Sequence, residues 1–228
     1  MQTIILCHGA LGSKNDLENL KLVLSNNGFN VYTFSFSGHG GTEFESDFGI
    51  HQFSIELENF ILSNKLVKPS IIGYSMGGYV ALYLASRSAG SIYKIITLAT
   101  KFNWTKEAVE KETGMLDPKM MLEKVPAFAA SLEKKHGSSW KDLLAKTAQM
   151  MRNISENNYL NIETLKTIQN KTLIGLGDKD QMVTLEETVN VYKTLPGANM
   201  YMLPNTKHPV ESVNLAVFAA VITEFLKE

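Results

Sequence analysis

Cysteine is nearly missing from this sequence. Cys7 is the single one in 228 residues, so no disulfide can form within the chain and no cysteine-rich metal site is possible. A reducing cytoplasmic compartment is the expectation. Long apolar runs are missing too: the best, LAVFAAVI at Leu215 to Ile222, falls well short of the ~18 residues a membrane span requires. The opening MQTIILCHG lacks the basic segment, long apolar stretch and small-residue cleavage site of an export signal, so neither membrane insertion nor export is expected. Charge of one sign is not in excess. The 22 Lys and Arg against 23 Asp and Glu leave a formal net charge of −1, and no basic run is dense enough to attract a phosphate backbone, which argues against a nucleic-acid partner. Internal repeats and Gly/Ser linkers are absent, and 44% hydrophobic with 20% charged residues is the balance of one ordinary globular domain.

What is there begins with short β-rich runs at Thr3 to Cys7, Val31 to Phe36, Ser70 to Gly73, Lys94 to Leu98, Thr172 to Leu176 and Met200 to Leu203. Each is apolar or β-branched and bounded by turn formers, the mark of a buried strand. Helical periods lie between several of them: Leu17, Leu20 and Leu24; Phe53, Leu57, Phe60 and Ile61; and Phe218, Val221, Ile222 and Phe225. Strands alternating with helices imply a parallel sheet covered on both faces. From Lys101 to Gln169 no strand is evident. Pro118 and Pro126 read there as helix starts, and Ser139 with Asp142 as a capping box ahead of Leu143, Leu144, Thr147 and Met151.

The motif that carries chemistry is Gly73-Tyr74-Ser75-Met76-Gly77, a G-x-S-x-G between an apolar strand and a helical segment. Composition alone yields this pattern in roughly 7% of chains of this length, so the strand before it and the helix after it supply most of its weight. A serine on so tight a turn leaves no space for side chains two residues away on either side. Its hydroxyl needs a base, for which histidine has the suitable pKa. Of His8, His39, His51, His136 and His208, only His208 follows the last strand, where ligand loops gather in parallel sheets. A carboxylate must orient that ring, and Asp178 and Asp180 compete for the role after the strand TLIGL. Oxyanion donors are expected at the main-chain N–H of Met76 and, from the turn His8 to Ser13, of Ala10.

At these residues the chain resembles the α/β-hydrolase superfamily, especially its small esterase-like and lipase-like members. HGALGS resembles the family's oxyanion turn, FSFSGHGGT its glycine-rich loop, GYSMGG its nucleophile elbow and LIGLGDKDQMV its acid-bearing strand end. The resemblance implies Asp180 as the acid, three positions after the glycine, in the chain order Ser75, Asp180, His208. It implies a core of residues 1–100 and 170–228 with about six mostly parallel strands flanked by helices, and a helical cap at 101–169 that shapes the substrate pocket. Leu11, Tyr74, Met150, Met151 and Met182 are assigned to that pocket. Departures are Ser35 to Ser37 in place of an acidic start to the glycine-rich loop, Lys171 where a proline is usual, and no glycine in the turn before His208.

The expectation is a serine hydrolase cleaving a carboxylic ester or thioester of a small, largely apolar molecule through an acyl-enzyme, with no cofactor and no metal. The same residues could serve carbon–carbon bond cleavage or an elimination, or the pocket could belong to a low-turnover ligand-binding receptor. Oligomeric state is left open.

Overall fold

The runs that are apolar throughout occupy the middle of the sheet, and the half-polar ones lie at its edges. In this computed structural model, which describes residues 1–227, the strands are β1 (Thr3–Cys7), β2 (Asn30–Thr33), β3 (Ser70–Tyr74), β4 (Ile95–Leu98), β5 (Thr172–Gly177) and β6 (Asn199–Leu203). They form one sheet in the order β2-β1-β3-β4-β5-β6, every pair parallel. β4 and β5 are buried at every residue, whereas β2 and β6 are partly exposed, as edge strands must be.

The helices are α1 (Glu18–Asn26), α2 (Ile50–Ser63), α3 (Met76–Arg87), α4 (Lys106–Gly114), α5 (Pro118–Lys124), α6 (Pro126–His136), α7 (Trp140–Asn157), α8 (Ile162–Thr167), α9 (Leu185–Thr194) and α10 (Leu215–Lys227). Successive strand residues point to opposite faces. Ile5, Ile71, Ile95 and Ile174 therefore meet Phe53, Leu57, Val80 and Leu84 of α2 and α3, while Ile4, Leu6, Ile72 and Ile96 meet Leu20, Leu24, Phe218 and Ile222 of α1 and α10. Fully burying each such aliphatic or aromatic side chain contributes about 1.5–3 kcal/mol.

Between β4 and β5 the described chain is helical. Pro118 and Pro126 stand in the first turns of α5 and α6, and Asp117 caps α5 by accepting from the N–H groups of Lys119 and Met120. Met121, Ala129, Leu132, Trp140 and Leu144 form a separate apolar cluster in this region. The long α7 also sends Met150 and Ile154 into the main core, tying the segment to the sheet layers.

Two local expectations fail. β2 ends at Thr33, not Phe36: its last partner is Leu6, and the Phe36 N–H leaves the ladder to donate to His8 Nε2 at 3.1 Å. Ser139 does not cap α7. Gly137–Ser139 form a 3-10 turn, Ser139 has φ −83° and ψ 2° rather than an extended backbone, and its hydroxyl donates backwards to the His136 carbonyl.

The strand order also says where ligands belong. From β1 the chain steps outward to β2, then returns to the other side of β1 for β3 and continues in that direction. The loops leaving the carboxyl ends of β1 and β3 thus part company, and a crevice opens between them.

Candidate active site

Ser75 occupies the turn between β3 and α3 with φ 50° and ψ −117°, a left-handed conformation that costs a non-glycine residue on the order of 1–3 kcal/mol. The surroundings hold it there. Its N–H donates to the Leu98 carbonyl at 2.8 Å, and its carbonyl accepts from the Gly78 N–H and the Thr100 hydroxyl, each at 3.0 Å. A Cβ at Gly73 would overlap the backbone of Gly77 and Gly78, and one at Gly77 would overlap the Cys7 carbonyl. The Ser75 hydroxyl makes no capping bond to α3, so it is available to other partners.

Its neighbour is His208, whose Nε2 lies 3.4 Å from Ser75 Oγ. The other ring nitrogen, Nδ1, is 2.8 Å from Asp180 Oδ2. Asp180 Oδ1 accepts from the N–H groups of Met182 (2.8 Å) and Val183 (2.9 Å). Burial alone would raise this carboxyl, but the His208 ring and those two N–H groups hold it below the usual carboxylate range. Asp178 instead braces the loop that carries His208, its Oδ1 accepting from the Thr206 N–H at 3.0 Å. In that loop Asn205 takes φ 51°, filling the place of the missing glycine with a residue that tolerates the left-handed region. The Tyr74 hydroxyl donates to the His208 carbonyl at 2.7 Å, and burial pushes its phenol up, keeping it a donor.

The remaining histidines bond to groups other than Ser75. His8 is buried, accepts from Phe36 at Nε2 and donates from Nδ1 to the Gly9 carbonyl at 2.8 Å; burial lowers its pKa to about 4, so it is neutral near pH 7. His39 donates from Nδ1 to the Ser37 carbonyl, and His51 pairs with the Tyr83 hydroxyl. The N–H groups of Ala10, in the turn after β1, and of Met76, the first residue of α3, find no acceptor among the described residues, and both residues line the cavity above Ser75.

That cavity has a volume of about 350 Å³ and runs between the sheet's carboxyl edge and the helices of residues 101–169. Leu11, Tyr74, Met150, Met151 and Met182 all line it, with Met115, Met121, Trp104 and Phe128. Met120 is exposed instead, and Trp140 is buried in the separate helical cluster. Neither Arg87 nor Arg152 reaches the walls; the Arg87 guanidinium donates to Ser54 Oγ.

A family model described as the alpha/beta hydrolase fold matches residues 2–169. The chain belongs to the α/β-hydrolase family. Over 99% of its length this α/β hydrolase is 24% identical to sn-1-specific diacylglycerol lipase ABHD11 of Mus musculus, covering 81% of that protein. A 35% identical match to ethanol acetyltransferase 1 of Hanseniaspora uvarum involves 41% of this chain and spans only 28% of the acetyltransferase. Among solved structures, the enol-lactonase of Burkholderia xenovorans superposes with a TM-score of 0.78 at 20% identity, covering all of this chain and 92% of that one. The 2-hydroxy-6-oxo-6-phenylhexa-2,4-dienoate hydrolase of a Rhodococcus species gives 0.81 at 16% identity, with 100% and 91% coverage. At such identities the structural likeness speaks for the fold alone.

Several residues of this α/β hydrolase's cavity carry no signal in the sequence. Lys101 donates to the Met182 carbonyl at 2.7 Å and lies 3.8 Å from buried Glu112, one of two ion pairs among the residues that line a largely apolar cavity. Lys135 and Asp16 pair at 2.8 Å on the side of the turn that follows β1. Their meeting depends on how the helical segment folds back on the sheet, for which no local pattern exists. Among the described residues no group of three or more His, Cys, Asp or Glu could hold a metal ion, and no helix is long and apolar enough to cross a membrane.

Proposed function

We propose that this chain is a serine hydrolase that cleaves a carboxylic ester or thioester of a small, largely apolar substrate through an acyl-enzyme. The observation that carries the reading is the continuous line from Asp180 through His208 to Ser75, at 2.8 and 3.4 Å, opening on a largely apolar cavity flanked by two unengaged N–H groups. Ser75 Oγ attacks the substrate carbonyl carbon while its proton passes to His208 Nε2. Asp180 keeps Nδ1 protonated and stabilises the imidazolium. The negative charge on the carbonyl oxygen meets the Ala10 and Met76 N–H groups, where one such donor is worth about 2.7–4 kcal/mol. His208 returns its proton to the departing alcohol or thiol. Water, deprotonated by the same ring, then releases the acid and restores Ser75. The 3.4 Å gap is long for a hydrogen bond, and such contacts tighten when substrate closes the site.

In this reading residues 101–169 act as a cap over the acyl group, and the methionines of α7 give the pocket an adaptable wall. The test is labelling with a fluorophosphonate probe alongside turnover of a p-nitrophenyl ester panel, in the wild type and in Ser75→Ala. We expect labelling at Ser75 and turnover lowered by about 10⁶ in the variant, the scale of nucleophile removal in a serine protease. More than a few per cent residual activity in Ser75→Ala would defeat the serine mechanism. A labelled serine with no turnover of any ester would instead favour carbon–carbon chemistry or a binding role.

A further inference from the structure

The end of α6 is fastened to the turn that follows β1 by two consecutive residues. Lys135 Nζ lies 2.8 Å from Asp16 Oδ2, which also accepts from the Ser13 N–H at 2.9 Å. His136, only 2% exposed, is engaged on both sides of its ring: Nδ1 accepts from the Gly40 N–H and Nε2–H donates to the Leu11 carbonyl, each at 2.9 Å. These partners define a neutral ring protonated at Nε2. Burial, with a smaller push from Lys135, holds its pKa below the ordinary histidine value against the Leu11 carbonyl and Asp16.

The Leu11 carbonyl shares a peptide group with the Gly12 N–H, which donates to the Gly9 carbonyl at 3.0 Å. The Gly9 carbonyl in turn shares a peptide group with the Ala10 N–H. A continuous line of donors therefore runs from Gly40 through His136 and two peptide groups to Ala10, each hydrogen donated to the next member in that order. Leu11 needs such support, because it holds φ 57° without being a glycine. Hydrogen bonds in a chain also polarise one another and strengthen the last donor.

We propose that His136 is a positioning residue that orients the Ala10 N–H for the developing oxyanion, so that the helical segment over the site helps to build the site beneath it. The inference rests on the serine-hydrolase reading above. α6 also carries Phe128 on the cavity wall, so the element that touches the acyl group is the one that steadies the donor.

Two substitutions separate the two sides of the ring. In His136→Asn the amide oxygen takes the place of Nδ1 and can still accept from Gly40, but nothing reaches Leu11. In His136→Gln the amide N–H takes the place of Nε2 and can still donate to Leu11. We expect His136→Asn to lower kcat about ten- to hundredfold with KM within about twofold, a part of the 10²–10³ that a lost oxyanion donor costs, and to slow fluorophosphonate labelling equally. His136→Gln should recover most of that loss. The Ala10 amide proton resonance should move in the Asn variant and return towards its wild-type position in the Gln variant. Equal losses in the two variants, a loss confined to KM, or a rate loss that follows melting temperature would overturn the positioning role. Wild-type protein that fails to label would defeat the serine reading and this inference together, whereas labelled wild type with an unimpaired Asn variant would defeat this inference alone.

Discussion

The elbow and the helical wall face each other across one cavity, yet they are built on opposite terms. Around Ser75 the shape is set by backbone: a left-handed serine, glycines with no room for a Cβ, and carbonyls already taken by N–H groups. Across from it the shape is set by side chains, chiefly Met115, Met121, Met150 and Met151, whose flexible thioethers fill irregular space. A backbone-built site tolerates almost no substitution and keeps its reacting atoms fixed. A side-chain-built wall can be re-cut by volume changes, so reaction type is expected to reside on the sheet side and substrate choice on the helical side.

The comparison breaks if glycines on the two sides behave alike. Gly77→Val should give no soluble folded protein, because any Cβ there overlaps the Cys7 carbonyl; a normal melting temperature for that variant would contradict the elbow geometry. Next in size is Asp180→Asn, expected to cut turnover by about 10⁴, as the analogous change does in a serine protease. Asp178→Asn keeps an acceptor for the Thr206 N–H and should cost less than about tenfold. Comparable losses from the two would reject Asp180 as the residue that orients the ring.

Acid should strike the sheet side through its buried histidines. The folded pKa of His8 lies near 4, below the ordinary value of about 6.5, so the unfolded chain binds a proton that the folded one refuses. Stability is then full above about pH 6.5 and declines as pH falls towards 4, by about 3 kcal/mol for His8 alone, with buried His39 adding in the same direction. Urea melts at pH 7 and pH 4.5 measure this; a midpoint that does not fall would show that the buried ring takes its proton without cost.

On the helical side the effects are smaller and graded. Each methylene of an acyl chain buried in the cavity should add up to ~0.8 kcal/mol, roughly fourfold in kcat/KM, until a pocket of about 350 Å³ is filled at short-to-medium chains. Met151→Ala should then move the optimum to longer chains by about one or two carbons. A p-nitrophenyl series from acetate to palmitate reads both, and a maximum at acetate or a steady rise to palmitate would contradict the pocket. Smallest of all, Gly114→Ala in α4 meets nothing within 4 Å and should raise stability by about 0.5–1 kcal/mol, seen as a higher melting temperature.

Legibility in the sequence divides along the same line. β1 runs from Thr3 to Cys7 as its apolar stretch indicates, and β3, β4 and β5 differ from expectation by a residue at most, because strands buried on both faces must be apolar throughout. Ser75, His208 and Asp180 stand out in the sequence because each follows a strand end, and the structure brings all three together. β2, at an edge, carries no such constraint, and its apolar run continues beyond its pairing with β1. His136 and its Leu11 partner are 125 residues apart, so nothing local to either marks the contact. Glu112, on the short α4, and Lys101, in the loop before it, are hidden for the same reason: a charged residue reads as surface until tertiary packing covers it.

Cys7 lies directly under the elbow, fully buried, with Gly77 pressed against its carbonyl and its thiol pushed up by burial. A thiol that is neither reachable nor ionised is silent to alkylating reagents while β1 and α3 stay together. The protein therefore carries a single, naturally placed reporter: the rate at which Cys7 becomes modified measures how often the ground beneath Ser75 opens, with no label introduced and no second thiol to confuse the reading.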